Sequence, residues 1–221
     1  MIEEIYNNLL KDKEIIDIYN KIGQIEDEEK RWAYHNNNHI KNVTNIVENI
    51  LIKLKYDKEF ISKAKIACFF HDVGALQGKE NHAERSYEFT KEYFQKNNIS
   101  FQGIDDVLFA IKNHSNGFDS DNIIALSLIL ADKLDIKKTR ITEEGKKIKG
   151  NRQYSHIEDI LINIENKTLI IDFITDNKIN INEVNEYYFT KKVFKAIESF
   201  SKKIKINFKI LIDNKEWIIE E

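Results

Sequence analysis

The sequence predicts a mainly α-helical body followed by a small α+β region at its C-terminal end. Apolar residues recur at helical spacing from residue 2 to about residue 136, and segments rich in β-branched residues appear only past about residue 150. No linker rich in proline or glycine separates the two parts. We therefore expect residues 1–150 to form a helical domain and residues 151–221 to form an α+β region packed closely on it.

Helical periodicity divides the first part into successive segments. The first runs from Ile2 to Gly23, and the second runs from His39 to Leu54, where the charged turn KYDKEF ends it. The third segment, ISKAKIACFFHD, is apolar on most sides, and Gly74 supplies a stop for it.

Three further helices are predicted over residues 81–96, 104–114 and 121–138. Each begins at or next to Asn81, Asp105 or Asp121, which are residue types that can cap the free N–H groups of a first turn. The part of the chain before residue 136 is therefore expected to be all-α.

The pattern changes in the C-terminal region. IEDILINI and TLIIDFIT, separated by ENK, predict a hairpin of two strands, and NEVNEYYFTKKVFKAIESFSKKI predicts one long helix. NFKILID and EWIIE predict closing strands. We expect this region to extend the core, with His156 as a surface or structural residue; a dimer interface, a substrate lid and a recognition unit are the alternatives.

Composition and charge exclude several partners. The formal net charge is −3, with lysines and acidic residues interleaved, so neither a nucleic-acid footprint nor a basic sink for acidic substrates is expected. Cys68 is the single cysteine and lies in the apolar run IACFF, which predicts a buried thiol in a reducing compartment. The charged N-terminal segment does not have the order of a signal peptide, and no apolar run approaches the roughly 20 residues that span a bilayer. We expect a cytoplasmic protein without a membrane partner.

Histidines and aspartates interrupt the apolar helical segments. Five of the six histidines lie in the helical part, namely His35, His39, His71, His82 and His114. One histidine on an apolar helix is usually a hydrogen-bonded core residue, but Asp72 and Asp132 also interrupt apolar runs, where an isolated carboxylate is costly to bury. Burial of several imidazoles and two carboxylates together is reasonable if cations compensate their charge. The set therefore predicts a metal site.

The segments YHNNNHIKNV, HDV and ILADKLD resemble the His, His-Asp and Asp signatures of the HD-domain superfamily of metal-dependent phosphohydrolases. The resemblance covers roughly residues 30 to 140 and implies an HD-domain helical bundle. It also implies that a first metal ion is held by His39, His71, Asp72 and Asp132.

The segments NHAERS and AIKNHSNG resemble the two-metal branch of this superfamily. This implies that His82 and His114 hold a second metal ion and that Asp72 bridges both. The implied cofactors are two divalent ions, iron or manganese first, with magnesium, cobalt, nickel or zinc as alternatives. Oxygen and imidazole ligands without thiolate argue against a closed, cysteine-rich zinc site.

Catalytic and substrate-binding roles are predicted for residues near these ligands. His35 resembles the histidine that protonates the leaving oxygen in cyclic nucleotide phosphodiesterases, and its position four residues before His39 predicts that both share a helix face. Alternatively, His35 only orients the site or lies at its rim. Asp72 and Lys133 are the other catalytic candidates. Lys133 and Arg140 are the candidates for binding the phosphates of the substrate.

Several neighbouring residues receive weaker predictions. Arg85 and Lys112 are second choices for binding phosphate, and Asp135 is expected to orient a ligand or a lysine. The remaining residues are expected to have structural or solvated roles: Tyr34 and Asn36 in packing and capping, and Lys137 and Lys138 as surface charges.

The predicted function is hydrolysis of a nucleotide or another small phosphoester by a water that two metal ions activate. The motifs are similar to those of bacterial HD-type diadenosine tetraphosphatases, but the YHNNNH start and the C-terminal region differ. The expected partner is a small phosphorylated substrate, a nucleotide first, and a homodimer is left open. The alternatives are an HD-type di-iron oxygenase, which uses the same ligand set, and a metal- and nucleotide-binding module with low turnover.

Overall fold

Helices form the chain as far as residue 134 and strands follow from residue 157, as the spacing of apolar residues predicts. The computed structural model describes residues 2–219. The helices are α1 (Ile2–Leu9), α2 (Lys13–Glu28), α3 (Asn37–Lys53), α4 (Lys58–Phe70), α5 (His82–Lys96), α6 (Ile104–Asn113), α7 (Ile123–Leu134), α8 (Ile181–Glu186) and α9 (Tyr188–Ile204). The strands are β1 (Ile157–Glu165), β2 (Thr168–Thr175), β3 (Asn207–Ile212) and β4 (Lys215–Glu216).

The boundaries of several helices differ from those predicted. The first segment divides into α1 and α2, because the side chain of Asp12 accepts a hydrogen bond from the backbone N–H of Ile15 and starts a new helix. Gly23 does not end this segment, since α2 continues to Glu28. Helix α7 ends at Leu134, four residues before the predicted end.

The predicted caps were partly wrong. Helix α6 begins after Gly103, whose left-handed backbone replaces the predicted cap at Asp105. Helix α7 is capped by Asn122, the neighbour of Asp121, through a hydrogen bond to the N–H of Ala125. Asn81 does precede α5, but its backbone is left-handed and its side chain makes no capping bond.

Helix α7 is the central element of the fold, and every residue from Ile124 to Leu134 is buried. One face, with Ala125, Leu128 and Ala131, belongs to the core formed by α1 to α6. The opposite face, with Ile129 and other apolar residues, belongs to a second core shared with α9 and the sheet. Asp132, a carboxylate in the last turn of α7, is therefore buried between the two parts of the chain.

The C-terminal region is a four-stranded sheet in the order β1-β2-β3-β4, with α8 and α9 in the connection from β2 to β3. Strands β1 and β2 form the predicted antiparallel hairpin, and β3 pairs parallel to β2. The predicted long helix is interrupted at Tyr187, whose extended backbone separates α8 from α9. Strand β4 contains only Lys215 and Glu216; the predicted strand EWIIE does not form over Trp217–Ile219, and its last residue, 220, lies outside the described residues.

Two loops from distant parts of the chain meet beside α7. The backbone N–H of Tyr34 donates to the carbonyl of Arg140 at 2.9 Å, and Ala33 and Ile141 form an isolated antiparallel bridge. This contact places the segment before α3 next to the segment after α7, so His35 and Arg140 lie on the same side of the molecule. The domain boundary near residue 150 stays a prediction.

None of the helices within residues 2–219 combines the length and the apolar character that crossing a membrane requires.

Candidate metal centre

The six predicted ligand side chains lie at or near the ends of helices. His39 is in the first turn of α3, His71 directly follows α4 and precedes Asp72, His82 begins α5, His114 directly follows α6, and Asp132 is in the last turn of α7. The ends of five helices therefore meet at one point. The structure brings all six side chains together.

The first group contains His39, His71, Asp72 and Asp132, which are all buried. One ligand atom from each residue lies within 4.8 Å of the others. Nε2 of His39 is 3.3 Å from Nε2 of His71, from Oδ2 of Asp72 and from Oδ1 of Asp132. These atoms surround a space in which one cation could contact all four residues.

The second group contains Asp72, His82 and His114. Oδ1 of Asp72 is 3.2 Å from Nε2 of His82 and 3.4 Å from Nε2 of His114. Because Oδ2 of the same carboxylate faces the first group, Asp72 lies between the two groups with one oxygen directed to each. This is the arrangement that a bridging carboxylate requires.

Hydrogen bonds to Nδ1 determine which nitrogen of each imidazole faces the centre. Nδ1 of His71, His82 and His114 lies 2.7–2.8 Å from a backbone carbonyl three residues earlier. A carbonyl can only accept, so Nδ1 carries the hydrogen and Nε2 of each neutral ring presents a lone pair. The Nε2 atoms of His82 and His114 are 2.9 Å apart, so their lone pairs face each other. This arrangement fits a cation between them.

The carboxylates of the centre also fit a bound cation. Oδ2 of Asp72 is buried and has no hydrogen-bond partner among the described residues. Burial alone would lower the pKa of His39, yet the carboxylates of Asp132, Asp135 and Asp72 raise it to about 9. The centre therefore attracts positive charge, and the residues present fit divalent cations.

Asp135, which directly follows α7, orients His39 from behind. Its Oδ2 accepts a hydrogen bond from Nδ1 of His39 at 2.7 Å, and its Oδ1 accepts one from the side chain of Asn42 at 3.0 Å. Asp135 is almost completely buried, which strengthens both contacts. Of the two expected roles, orienting a ligand or a lysine, the geometry favours orienting a ligand.

His35 does not lie on a helix with His39, contrary to the prediction, because Asn36 caps α3 and the helix begins only at Asn37. His35 instead occupies the preceding loop, with its ring centroid 5.8 Å from that of His39. Asn36 performs the capping role expected of it, and Tyr34 donates a hydrogen bond to Asp27.

Glu26 is a site residue that the sequence prediction missed. Its carboxylate accepts the backbone N–H of His35 at 2.7 Å and contacts Nδ1 of the same residue. Glu26 is fully buried, and burial raises its pKa to about 7. A signal was present, since Glu26 continues the buried face formed by Ile15, Tyr19 and Ile22.

Two basic side chains lie beside Asp132 of the first group. Lys133 is buried, and its Nζ is 2.5 Å from Oδ2 of Asp132. Arg140 is also buried, with Nη2 3.9 Å from Oδ1 of Asp132 and with Nη1 lacking any hydrogen-bond partner among the described residues. A buried, unsatisfied guanidinium nitrogen is the kind of group that an anion would satisfy.

Arg85 and Lys112, the second choices for binding phosphate, make different contacts. Arg85 donates to the backbone carbonyls of Gly74, Gly78 and Glu80, so it holds a loop together, and it does not line the pocket. Lys112 lines the pocket and pairs with Glu84 at 2.8 Å.

The remaining residues with predicted structural roles belong to neither candidate ligand group. Lys137 and Lys138 pair with Asp159 and Glu158 on β1, as surface charges would. The remaining histidine, His156, contacts Asp176 at 3.1 Å. Cys68 is buried with a free thiol.

The metal-ligand groups open into a pocket of about 670 Å³. Its lining includes His35, Asp72, His82, His114, Asp132, Lys133 and Arg140, together with Lys79, which the sequence prediction did not consider. The C-terminal region contributes Tyr187, Tyr188, Phe189 and Lys192 to the same lining. The pocket is therefore formed by both parts of the chain.

Comparison with known proteins bears on the helical part. None of the curated proteins matches the chain significantly. The family model for the HD domain matches residues 37–137, which contain all six candidate ligands. This match and the cluster of histidines and aspartates together support assignment of the segment to the HD superfamily, whose members are generally metal-dependent hydrolases.

Proposed function

We propose that this protein is a phosphohydrolase that uses two divalent metal ions to act on a nucleotide or another small phosphoester. The observation that carries the proposal is the position of Asp72, which lies between two groups of inward-facing imidazoles at a pocket lined by basic side chains. Two cations held by these groups would polarise a phosphoryl oxygen and lower the pKa of a water nucleophile.

The proposed metal ligands are the six residues described above. His39, His71, Asp72 and Asp132 would hold one ion, and Asp72, His82 and His114 would hold the other. The hydrogen bonds to Nδ1 keep each ring in the tautomer that a metal needs, with the lone pair on Nε2.

The side chains on the walls suit a phosphorylated substrate. Arg140 offers an unsatisfied Nη1, and its planar guanidinium can donate two hydrogen bonds to one phosphate. Lys133 holds a carboxylate oxygen of Asp132 and adds a second positive charge near the ligands. These cations favour phosphate chemistry over oxygen activation on an uncharged substrate, although a di-iron oxygenase could use the same ligand set.

His35 is the proposed general acid for the leaving oxygen. Its ring lies next to that of His39 and lines the pocket, and its Nδ1 faces the carboxylate of Glu26. Burial lowers the pKa of the His35 imidazole well below its usual range, so the ring is neutral. Burial also raises the pKa of Glu26 to about 7, and the protonated carboxyl can donate to Nδ1 of His35, which leaves the ring hydrogen on Nε2 to be given to a substrate oxygen. A positioned general acid contributes about 10²- to 10⁴-fold in rate.

Substitution of the central residues tests the function. We expect Mn²⁺- or Fe²⁺-dependent phosphate release from nucleotides to be lost in His71→Ala and Asp72→Ala. It should be retained in His156→Ala, because His156 neither belongs to a candidate ligand group nor lines the pocket. Circular dichroism of each variant establishes that it remains folded. Unchanged turnover in a folded His71→Ala protein would remove the proposal, and oxygen consumption in place of phosphate release would favour the oxygenase.

A further inference from the structure

Aromatic side chains from the C-terminal region line the same pocket as the metal-ligand groups. Tyr187, Tyr188 and Phe189 follow one another where α9 begins, and Trp32 lines the pocket from the loop before α3. None of these residues falls within the segment that matches the HD domain. They form what we call the aromatic wall, defined as Trp32, Tyr187, Tyr188 and Phe189.

Burial in the core does not account for the whole wall. Tyr188 is 57% exposed and Trp32 is 45% exposed, and they are among the few large hydrophobic residues with this exposure in the described part of the chain. The other exposed residues of this kind, such as Phe109 and Leu161, do not line the pocket. Two accessible rings at the opening of one polar pocket indicate a ligand with an apolar, planar part.

The backbone holds the wall in place. Gly150 has φ +81°, and a Cβ at this position would lie 2.5 Å from Cβ of Tyr187, so only glycine permits this close approach. The hydroxyl of Tyr187 donates to Oδ1 of Asn151, and the amide of Asn151 donates to the carbonyl of Trp32 at 3.3 Å. The two sides of the wall are thus connected through one buried asparagine.

Cations alternate with the aromatic rings. Nζ of Lys133 lies 5.9 Å from the ring centroid of Phe189, and Nζ of Lys192 lies 5.9 Å from that of Tyr188. Lys192 also lines the pocket, one turn along α9 from Tyr188. Rings for stacking beside cations for phosphate are the combination that binds nucleotides without base-specific hydrogen bonds.

We infer that the aromatic wall and Lys192 form a recognition subsite for nucleoside 5′-polyphosphates, in which Tyr188 and Trp32 contact the base and Lys192 contacts a phosphate away from the metal centre. The inference rests on the proposed function, because it assumes that a second phosphate of the same substrate lies at the metal centre. It assigns the C-terminal region a part in choosing the substrate, besides extending the core.

The test compares ATP with inorganic tripolyphosphate, which carries the phosphates without the base. Emission of Trp32 reports binding directly, because Trp217 is only 4% exposed and does not line the pocket. Stopped-flow measurements with Mn²⁺ record the change in emission before turnover. We expect ATP to quench Trp32 and to bind about 5- to 150-fold more tightly than tripolyphosphate, the factor that stacking of one base provides.

Substitutions then separate the base from the phosphates. Tyr188→Ala should weaken ATP binding by about 5- to 150-fold and leave tripolyphosphate binding unchanged. Lys192→Met should weaken the binding of both. Phe109→Ala removes a ring that is 44% exposed and lies outside the pocket, and it should change neither. Lys202→Met is the corresponding control for charge on α9.

Equal affinity of the wild-type protein for ATP and tripolyphosphate would overturn the inference. An equal effect of Tyr188→Ala on both compounds, or no effect on either, would overturn it as well. Binding is measured before turnover, so the result does not depend on catalysis. Selective binding of ATP without phosphate release would remove the proposed function and leave the subsite. Phosphate release without preference for ATP over tripolyphosphate would remove the subsite and leave the proposed function.

Discussion

Nδ1 of His39 and Oδ2 of Asp135 are 2.7 Å apart, although 96 residues separate them in the chain. This contact turns Nε2 of His39 towards His71, Asp72 and Asp132. A residue that is not itself in a candidate ligand group therefore decides how one member of the first group is presented.

Asp135→Asn is expected to weaken metal binding without removing a ligand. The amide has no negative charge to stabilise the imidazole of His39, so Mn²⁺ affinity should fall by about 10- to 100-fold. Calorimetric titration of metal-free protein measures this. Asp121→Asn is the control, since Asp121 is exposed and pairs only with Lys203 among the described residues. Equal affinities of the wild-type and Asp135→Asn proteins would contradict the orienting role.

His82→Ala is expected to lower the metal content from two ions per chain to one. His82 contributes only to the second group, whereas Asp72 and the first group stay intact. Elemental analysis of protein purified with little metal loss gives the stoichiometry, with His156→Ala as the control. If the wild-type protein holds one ion, or the variant still holds two, His82 and His114 act as structural residues or contact substrate.

Glu26→Gln is expected to change how stability depends on pH. The folded protein raises the pKa of Glu26 from 4.5 to about 7, so the folded state holds a proton that the unfolded state releases between these values. The stability from this group is therefore complete below about pH 4.5 and is lost as the pH rises through 7. Urea unfolding of metal-free protein should show a smaller decrease over this range in Glu26→Gln than in the wild type.

The same substitution should also affect the reaction through His35. The amide that replaces the protonated carboxyl has no acidic proton to pass to Nδ1 of His35 as Nε2 gives up its own, so kcat should fall while KM changes little. Glu29→Gln is the control, because Glu29 is exposed and contacts Arg31. An unchanged pH–rate profile in Glu26→Gln would show that the contact with His35 has no part in the proton transfer.

Gly74→Ala is expected to disturb the second metal group. A Cβ on Gly74 would lie 2.5 Å from the backbone atoms O of His82 and N of Ser86, so α5 must move away. We expect a loss of about 1–3 kcal/mol in the free energy of unfolding, measured with urea, together with weaker binding of the second ion.

Gly78→Ala serves for comparison in the same loop. Its φ of +104° makes any side chain costly, but a Cβ there would meet nothing within 4 Å. This variant should lose stability and keep both ions. If the Gly74→Ala protein also kept both metal ions, the close contact between Gly74 and α5 would not be needed to position His82.

The residue types that meet at the candidate centre could be predicted from the sequence, because the relevant signals are local. Asp132 and His71 stand out against apolar neighbours, and the cost of burying such groups can be judged without knowing the fold. The hairpin formed by β1 and β2 was predicted for the same reason, since its strands and its turn are adjacent in the chain.

Other features depended on contacts between distant residues. His35 was predicted on a helix from its spacing to His39, but Asn36 caps α3 and leaves His35 in a loop held by Glu26. The break at Tyr187 was also missed, because the pattern of apolar residues continues through it from α8 to α9.

By itself the sequence determined the types of candidate ligand, their order along the chain and the helical character of the segments that carry them. The tertiary structure decided the direction of each imidazole, the role of Glu26 beside His35, and the meeting of Tyr188 with the pocket. The reason is physical: periodicity and burial cost are properties of neighbouring residues, whereas the orientation of a side chain is set by partners that only folding brings near.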